Sequence, residues 1–239
     1  MLRSLAYRLL PPQCVVCELH AGEPATSICA HCETDFFAPD IDRCERCAIR
    51  LPVEQPGARI CGRCLTTVPD FDATTTLADY VSPVDGMVLA MKFTARLDLA
   101  DLFGRLLAHR LLAHRLSALS SAASDAIVIP VPLAFERVRQ RGFNQSSHIA
   151  RAFAVAAGRR LVLDQLLRVR NTPPQLSLAL KERRRNVRGA FSVQGKLDGQ
   201  SVFVVDDVMT TGSTLDEAAR ALKKAGAVHV HNLIVARTP

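Results

Sequence analysis

Short apolar runs alternate with helical patterns along the C-terminal two-thirds of the chain. Residues 202–205 are apolar at every position, which is typical of a strand buried on both faces of a parallel sheet. Residues 126–132 and 228–236 are also rich in branched apolar residues, residues 74–81 have a strand-like composition, and 161–168 form a further apolar stretch. The pattern predicts an α/β fold with a parallel sheet.

Helical periodicity occupies the segments between these runs. It predicts helices over residues 84–93, 97–119 and 144–158, and a fourth helix after residue 212, where Leu215, Ala218, Ala219 and Leu222 share one face. His229 and His231 alternate with apolar residues on the last strand, so we expect them on its less buried face.

An acidic pair and a turn of small residues follow the strand at 202–205. The pair is Asp206 and Asp207, and the turn contains Thr210, Thr211, Gly212, Ser213 and Thr214. Such a turn can direct several N–H groups and hydroxyls at one phosphate, and the positive end of the next helix favours the anion. The carboxylates would repel the phosphate and instead accept hydrogen bonds from hydroxyls. The stretch therefore predicts a site for a ribose 5-phosphate; the alternative is a capped strand-to-helix turn without a ligand.

All eight cysteines lie in four Cys-x-x-Cys pairs, separated by gaps of 11, 11 and 13 residues. Each pair can present two thiolates to one tetrahedral zinc, so the pairs predict two structural zinc sites. The short gaps favour sequential ribbons, the first pair with the second and the third with the fourth; an interleaved pairing and an iron–sulfur site are the alternatives. The ligands are Cys14, Cys17, Cys29, Cys32, Cys44, Cys47, Cys61 and Cys64.

The cysteines and the hydropathy also bear on compartment and domain organisation. No apolar run approaches the roughly 20 residues that a membrane span needs. Because the N-terminal residues are too interrupted by arginine for a signal peptide, and because cysteines in a reducing cytosol are more often metal ligands than disulfides, we expect a cytoplasmic protein. We expect a zinc-ribbon domain over residues 1–68 and an α/β domain over residues 69–239.

The positive charge is concentrated in one segment. The chain carries a net charge of +7, whereas residues 130–192 alone hold thirteen basic and three acidic residues, a balance of +10. After the strand at 126–132, Arg137, Arg139 and Arg141 stand at alternate positions. They can converge on an anion beyond the strand end, where parallel sheets bind their ligands. A solvated basic face is the alternative.

Several of these motifs resemble known families. The apolar strand, two acids and Thr- and Gly-rich turn of residues 201–215 resemble the signature with which type I phosphoribosyltransferases bind phosphoribosyl pyrophosphate (PRPP). The ordered series of Cys-x-x-Cys pairs, Pro-Val-Pro, Arg-Gly-Phe-Asn-Gln, Thr-x-x-Gln, Arg-x-x-Asn-Val and Val-Asp-Asp-Val-x-Thr-Thr-Gly resembles the ComF family of bacterial competence proteins, over nearly the whole chain.

The resemblance implies a double zinc ribbon joined to a phosphoribosyltransferase-like domain that is linked to DNA uptake. It implies that Asp206 and Asp207 bind the ribose hydroxyls and that the turn binds the 5-phosphate. Magnesium would be held mainly by oxygens of PRPP and by water. The residues implied for the pyrophosphate and for a closing lid are Arg137, Arg139, Arg141, Asn144, Gln145, Thr172, Gln175, Arg183, Arg184 and Arg185.

The implied reaction is attack by a nitrogen nucleophile on the anomeric carbon of PRPP as pyrophosphate leaves. Two features depart from an active enzyme: Pro132, Leu133, Ala134 and Phe135 stand where a glycine usually admits pyrophosphate, and no hood for a base is recognisable. One alternative is a non-catalytic accessory protein that binds single-stranded DNA through its basic segment. Another is a scaffold whose ribbon docks a further DNA-uptake protein.

Overall fold

The computed structural model describes residues 13–21, 27–37, 42–52, 57, 59–113, 125–170 and 187–239. The described strands are β1 (Ala73–Asp79), β2 (Ile127–Pro130), β3 (Arg160–Leu161), β4 (Leu166–Arg168), β5 (Phe191–Val193), β6 (Ser201–Met209) and β7 (His229–Arg237). The described helices are α1 (Ala30–Phe36), α2 (Gly62–Thr66), α3 (Val84–Phe93), α4 (Leu97–Ala113), α5 (Phe135–Arg141), α6 (Gln145–Ala157) and α7 (Ser213–Lys224).

Five strands form one parallel sheet in the order β1-β7-β6-β2-β3. Strands β6 and β7 lie inside the sheet, so each has a hydrogen-bonded neighbour on both sides. Residues 202–205 of β6 are at most 3% exposed, because helices cover both faces of the sheet. The parallel α/β sheet predicted from the apolar runs is confirmed.

Two apolar layers enclose the sheet. On one face, α3, α4 and α6 pack against the side chains of Phe203, Val205 and Leu233. On the other face, α7 packs against Val204 and Ile234. Its inward residues are the four that the sequence predicts for one face: Leu215, Ala218, Ala219 and Leu222.

Helices α4 and α6 approach each other closely at Gly104. A Cβ atom on this glycine would lie 2.5 Å from the Cβ of Ala152, 2.6 Å from the carbonyl oxygen of Ile149 and 2.7 Å from the amide nitrogen of Phe153. Only glycine therefore permits this helix–helix contact. The contact places the first turn of α6 at the carboxyl end of β6.

Each half of the ribbon region has the same local plan. In each half, a tight turn carries the first of its two Cys pairs. The residue that follows this pair, Glu18 in one half and Ala48 in the other, has a positive φ. A short helix begins directly after the first cysteine of the next pair, α1 after Cys29 and α2 after Cys61.

The two halves pack against opposite layers. Cys14 and Cys32 join the core of α3, α4 and α6, whereas Cys44, Cys47 and Cys64 join the core on the α7 side. The division into domains at residue 68 stays a prediction. In the part of the chain that the structure describes, no helix has both the length and the apolar character that a bilayer crossing requires.

Two expectations differ from the structure, and a third is tested only in part. The apolar stretch 161–168 is divided, since β3 joins the main sheet while β4 pairs antiparallel with β5 in a separate two-stranded sheet. The helix expected over 97–119 is described as far as Ala113, and its remainder lies outside the described residues. His231 is 1% exposed and not on an open face, because α4 packs over that side of β7.

We predict that Gly104→Val lowers the melting temperature strongly. The added side chain must push α4 and α6 apart, and overpacking of this kind costs about 1–3 kcal/mol, or roughly 2–10 °C for a chain of this size. Gly86→Val in α3 is the matched control, since a Cβ there meets nothing within 4 Å. Equal melting temperatures of the two variants in a thermal scan would contradict the close contact.

Candidate functional site

The acidic pair lies near the carboxyl end of β6, and the first turn of α6 contacts both carboxylates. Asp206 Oδ1 accepts hydrogen bonds from Ser146 Oγ at 2.9 Å and from the backbone N–H of Asp207 at 2.9 Å. Asp207 Oδ2 accepts a hydrogen bond from Gln145 Nε2 at 2.6 Å. The structure thus brings Gln145 from the basic segment onto the acidic pair.

Lys92 is a site residue that the sequence analysis missed. Its Nζ lies 3.1 Å from Asp207 Oδ2, and its side chain is only 16% exposed. Lys92 stands at the penultimate position of α3 and is the only basic residue in that helix. A single cation in the last turn of an apolar helix could have marked Lys92 as a candidate site residue. Only the tertiary fold, however, shows that this helix ends at β6.

Asn144 and Gln145 occupy the start of α6. Asn144 caps the helix, its Oδ1 accepting from the backbone N–H of Ser146 at 3.1 Å, and its Nδ2 donates to the carbonyl of Val131 at 3.0 Å. This second bond ties the helix start to the end of β2. The cap therefore holds Gln145, which is 3% exposed, over Asp207.

The three arginines after β2 lie on a helix, α5. Positions four apart share a helix face, so Arg137 and Arg141 lie together and half-buried, whereas Arg139 is exposed beside the ring of Phe135. Arg141 Nη1 donates to Gln145 Oε1 at 3.2 Å, and its guanidinium lies 5.1 Å from the centroid of the Phe93 ring.

Burial and charge act together on these guanidinium groups. Burial lowers the pKa of Arg141, and the charge of Asp207 opposes that shift. Burial also lowers the pKa of Arg168 on β4, where the charge of Arg137 adds to the shift and Asp206 opposes it. Arg168 is thus a second cation near the acidic pair that the sequence analysis did not single out.

The Thr- and Gly-rich turn connects β6 to α7. Thr211 Oγ1 and Ser213 Oγ are hydrogen-bonded at 2.9 Å, and the backbone N–H of Ser213 donates to Thr211 Oγ1 at 3.3 Å. Gly212 has φ +80°, a conformation that glycine adopts without strain. Thr210 is exposed and Thr214 half-buried in the first turn of α7. The positive end of this 12-residue helix therefore faces the turn.

The five residues assigned to a lid, Thr172, Gln175, Arg183, Arg184 and Arg185, lie outside the described residues. Their roles stay predictions. The described neighbours on either side of that segment are Arg170 and Val187, and Arg170 Nη1 donates to the carbonyl of Arg188 at 2.6 Å.

Both cysteine tetrads have the composition and spacing of zinc sites. The Sγ atoms of Cys14, Cys17, Cys29 and Cys32 lie within 4.8 Å of one another, as do those of Cys44, Cys47, Cys61 and Cys64. Cys17 Sγ and Cys29 Sγ are 3.8 Å apart, and Cys47 Sγ and Cys61 Sγ are 3.6 Å apart. Two thiolates about 2.3 Å from one tetrahedral zinc are separated by roughly 3.8 Å. The sequential pairing is the one that the structure shows.

The thiols influence each other strongly. Hydrogen bonding from the Cys47 thiol lowers the pKa of Cys44 to about 4, and the same interaction together with burial raises the pKa of Cys47. Four adjacent thiols cannot all ionise on their own, whereas a dication among them would make this possible. The donor set therefore fits structural zinc.

Comparison with known proteins agrees with both parts of this architecture. Residues 5–65 match the family model of the double zinc ribbon domain, and residues 113–239 match that of the phosphoribosyl transferase domain. The DNA utilization protein YhgH of Salmonella typhimurium is 33% identical over 229 residues, covering 96% of this chain and 98% of the relative. YhgH of Escherichia coli K12 is 32% identical over 234 residues, with the same coverage of both chains.

Competence protein F of Haemophilus influenzae is 27% identical over 217 residues, covering 90% of this chain and 92% of the relative. Fold, cysteine tetrads and matches together define a double zinc ribbon joined to a phosphoribosyltransferase-type domain. The chain belongs to the ComF family, which includes YhgH and competence protein F.

We predict that Asp206→Asn stabilises the zinc-loaded protein more at about pH 8 than at about pH 6, a range in which the thiolate ligands keep their zinc. Burial and the neighbouring Asp207 raise the pKa of Asp206 from 3.8 to about 7. Because the folded state then holds a proton that the unfolded chain has lost, this group's contribution to stability is full below about pH 4 and disappears as the pH rises through 7. Between these two pH values the difference amounts to about 1.4 kcal/mol, so the gain in melting temperature from the substitution should be roughly 3–6 °C larger at the higher pH.

Asp101→Asn is the matched control for this measurement, because that side chain is 62% exposed. Its melting temperature, relative to the native protein, should show no comparable change between the two pH values. A gain from Asp206→Asn that is the same at both pH values would contradict the raised pKa.

Proposed function

We propose that the chain binds PRPP at the carboxyl edge of the sheet and acts as a phosphoribosyltransferase on a nitrogen acceptor. The observation that carries this proposal is the placement of two carboxylates, the Thr- and Gly-rich turn and a set of cations around the end of one central strand. Parallel sheets bind their ligands at this edge. The family relationship supports the same ligand.

The pose follows from charge and hydrogen-bonding capacity. The 5-phosphate would lie in the turn from Thr210 to Thr214, where N–H groups, hydroxyls and the start of α7 favour an anion. The ribose hydroxyls would donate to Asp206 and Asp207. The described contacts of Asp207 with Lys92 and Gln145 are both at Oδ2, so Oδ1 is the atom for a hydroxyl.

The pyrophosphate would extend toward the cations on the α5 side of the acidic pair. Lys92, Arg137 and Arg141 supply three positive charges there, whereas Arg139 lies on the far face of its helix. As the bond from the anomeric carbon to pyrophosphate breaks, its electron pair leaves with the pyrophosphate oxygen. The cations stabilise that growing negative charge, and the acidic pair stabilises the positive charge that develops on the ribose.

Magnesium fits this arrangement as part of the substrate complex. A bound Mg²⁺ would further neutralise the leaving pyrophosphate, and its ligands would be mainly phosphate oxygens and water. The residues of the chain contribute position and charge, since no described side chain needs to exchange a proton with the sugar.

The names of the relatives support a setting in DNA uptake. Competence protein F and the DNA utilization protein YhgH match this chain along most of their length. We propose that the chain takes part in DNA uptake and that it does so in the cytoplasm. Cysteines that serve as zinc ligands, as the two tetrads suggest, are typical of a reducing compartment.

The direct test is calorimetry of the zinc-loaded protein with magnesium PRPP. We predict saturable binding that the double substitution Asp206→Ala with Asp207→Ala abolishes, because both hydroxyl acceptors are lost. The matched control is Asp98→Ala with Asp101→Ala, which removes the same charge from exposed positions on α4. Undiminished binding by the Asp206 and Asp207 variant would refute the site. Pyrophosphate release during a screen of nucleobases would then establish turnover.

Binding of single-stranded DNA is the second candidate function, and exposed aromatic side chains favour it. Phe93 and Phe135 are each 68% exposed, and each has an arginine guanidinium within 6.0 Å of its ring centroid. Such rings stack on bases, while arginines contact the phosphates. The basic segment of residues 130–192 supplies further positive charge, including the cluster Arg183 to Arg185.

We predict for this function that affinity for an oligothymidine, measured by fluorescence anisotropy, falls steeply with salt. Phe93→Ala with Phe135→Ala should weaken binding by about tenfold or more, because base stacking contributes about 1–3 kcal/mol per base. Val155→Ala is the control, because Val155 is an apolar residue on α6 that is 80% exposed, and its substitution should leave the affinity unchanged. A flat salt response would rule out DNA as a ligand of the basic segment.

A further inference from the structure

The second zinc ribbon lies directly against the Thr- and Gly-rich turn. Arg63 on α2 donates a hydrogen bond from Nη2 to the carbonyl oxygen of Thr211 at 2.7 Å. Arg63 immediately precedes Cys64, one of the four thiols of the second tetrad. A residue of the metal site is therefore adjacent in sequence to a side chain that holds the turn.

Arg237 forms a second link between the same two regions. This residue is 3% exposed at the end of β7. Its Nε donates to the carbonyl of Cys47 at 2.9 Å, and its Nη1 donates to the carbonyl of Met209 at 3.1 Å. One buried guanidinium thus connects the backbone of a zinc ligand to the residue just before the turn.

Packing closes the remaining space between ribbon and turn. A small cavity of about 30 Å³ lies at the interface, lined among others by Arg63, Phe71 and Ser213. A Cβ on Gly212 would lie 2.5 Å from Met209 Cε and 3.8 Å from Phe71 Cζ. The first ribbon, by contrast, packs on the α3 and α4 side of the sheet.

The two links act on the orientation of peptide groups. A peptide unit is planar and trans, so its N–H points opposite to its C=O. Arg63 holds the Thr211 carbonyl on the ribbon side and thereby fixes the Gly212 N–H on the other side. Arg237 acts in the same way on the Thr210 N–H through the Met209 carbonyl, which also accepts a hydrogen bond from the backbone N–H of Thr238 at 3.0 Å. Both carbonyl dipoles, which would repel a phosphate, are kept turned toward the arginines.

We propose that the second zinc ribbon forms a wall of the phosphate site and that Arg63 and Arg237 are positioning residues, which direct the N–H groups of the turn at the phosphate. This inference rests on the proposed function of the turn. It assigns to zinc at the Cys44, Cys47, Cys61 and Cys64 tetrad a role in ligand affinity. Loss of that zinc releases the backbone that carries both links, so zinc and phosphate binding are thermodynamically coupled.

The test uses the full, zinc-loaded chain and calorimetry with magnesium PRPP. Arg63→Met should weaken binding about tenfold, the effect of losing one charge-assisted hydrogen bond. Arg63→Lys should recover most of the affinity, because an ammonium can still donate to the Thr211 carbonyl. Arg59→Met is the matched control: Arg59 is an exposed arginine of the same ribbon that pairs with Glu45, and its loss should leave affinity unchanged.

Zinc release to a chromogenic chelator provides the second readout. Saturating PRPP should slow the loss of one of the two zinc equivalents about threefold or more in the native chain, and this protection should be absent in Arg63→Met. If the native chain binds PRPP and Arg63→Met binds it with the same affinity, the positioning role alone is overturned. The same holds if Arg59→Met weakens binding as much as Arg63→Met does. Failure of the native chain to bind PRPP would overturn the proposed function and this inference with it.

Discussion

Two carboxylates on consecutive residues, at the end of a strand enclosed by helices, impose the main constraint on this structure. Each must be stabilised by neighbouring donors, because burial and mutual repulsion disfavour ionisation. Asp207 is stabilised by Lys92 and Gln145, and Asp206 by Ser146 and a backbone N–H. The remaining imbalance appears as the raised pKa of Asp206. A pair of acids kept under this strain is typical of a functional site, since burial there adds nothing to the apolar core.

The other elements of the domain are arranged around that pair. Helix α6 must begin at β6 to deliver Gln145 and Ser146, and it reaches that position because Gly104 allows α4 to pack closely against it. Helix α3 must end at β6 to deliver Lys92. The second zinc ribbon lies on the other side of the same edge, where it contacts the turn through Arg63. Segments that are distant in sequence thus meet at one edge of the sheet. The first ribbon instead packs against the layer of α3, α4 and α6.

The parts of this arrangement that the sequence predicts are those whose physics is local. A buried strand, an acidic pair and a turn of small residues are contiguous, so their order along the chain identifies them. The Cys-x-x-Cys pairs are similarly local, and their short gaps indicate the sequential pairing that the structure shows. Contacts between segments that are distant in sequence were not predicted. Lys92 looks like the end of an ordinary amphipathic helix until α3 is placed against β6.

Two further differences have the same origin. The alternate positions of the arginines suggest that all three converge on one anion, but residues 135–141 form a helix, and helical geometry separates Arg139 from Arg137 and Arg141. Alternation along the last strand suggests a less buried face for His231, but β7 lies inside the sheet and α4 packs over it. Strand order and helix placement are set by packing across the whole domain, which short sequence patterns do not record.

A crystal structure of the chain with magnesium and PRPP would show whether a sugar phosphate binds at the carboxyl end of β6. We expect the 5-phosphate within the turn from Thr210 to Thr214 and the ribose hydroxyls within hydrogen-bond distance of the Asp206 and Asp207 carboxylates. Density for the ligand elsewhere on the chain, with the turn empty and both carboxylates bonded only to protein groups, would contradict it.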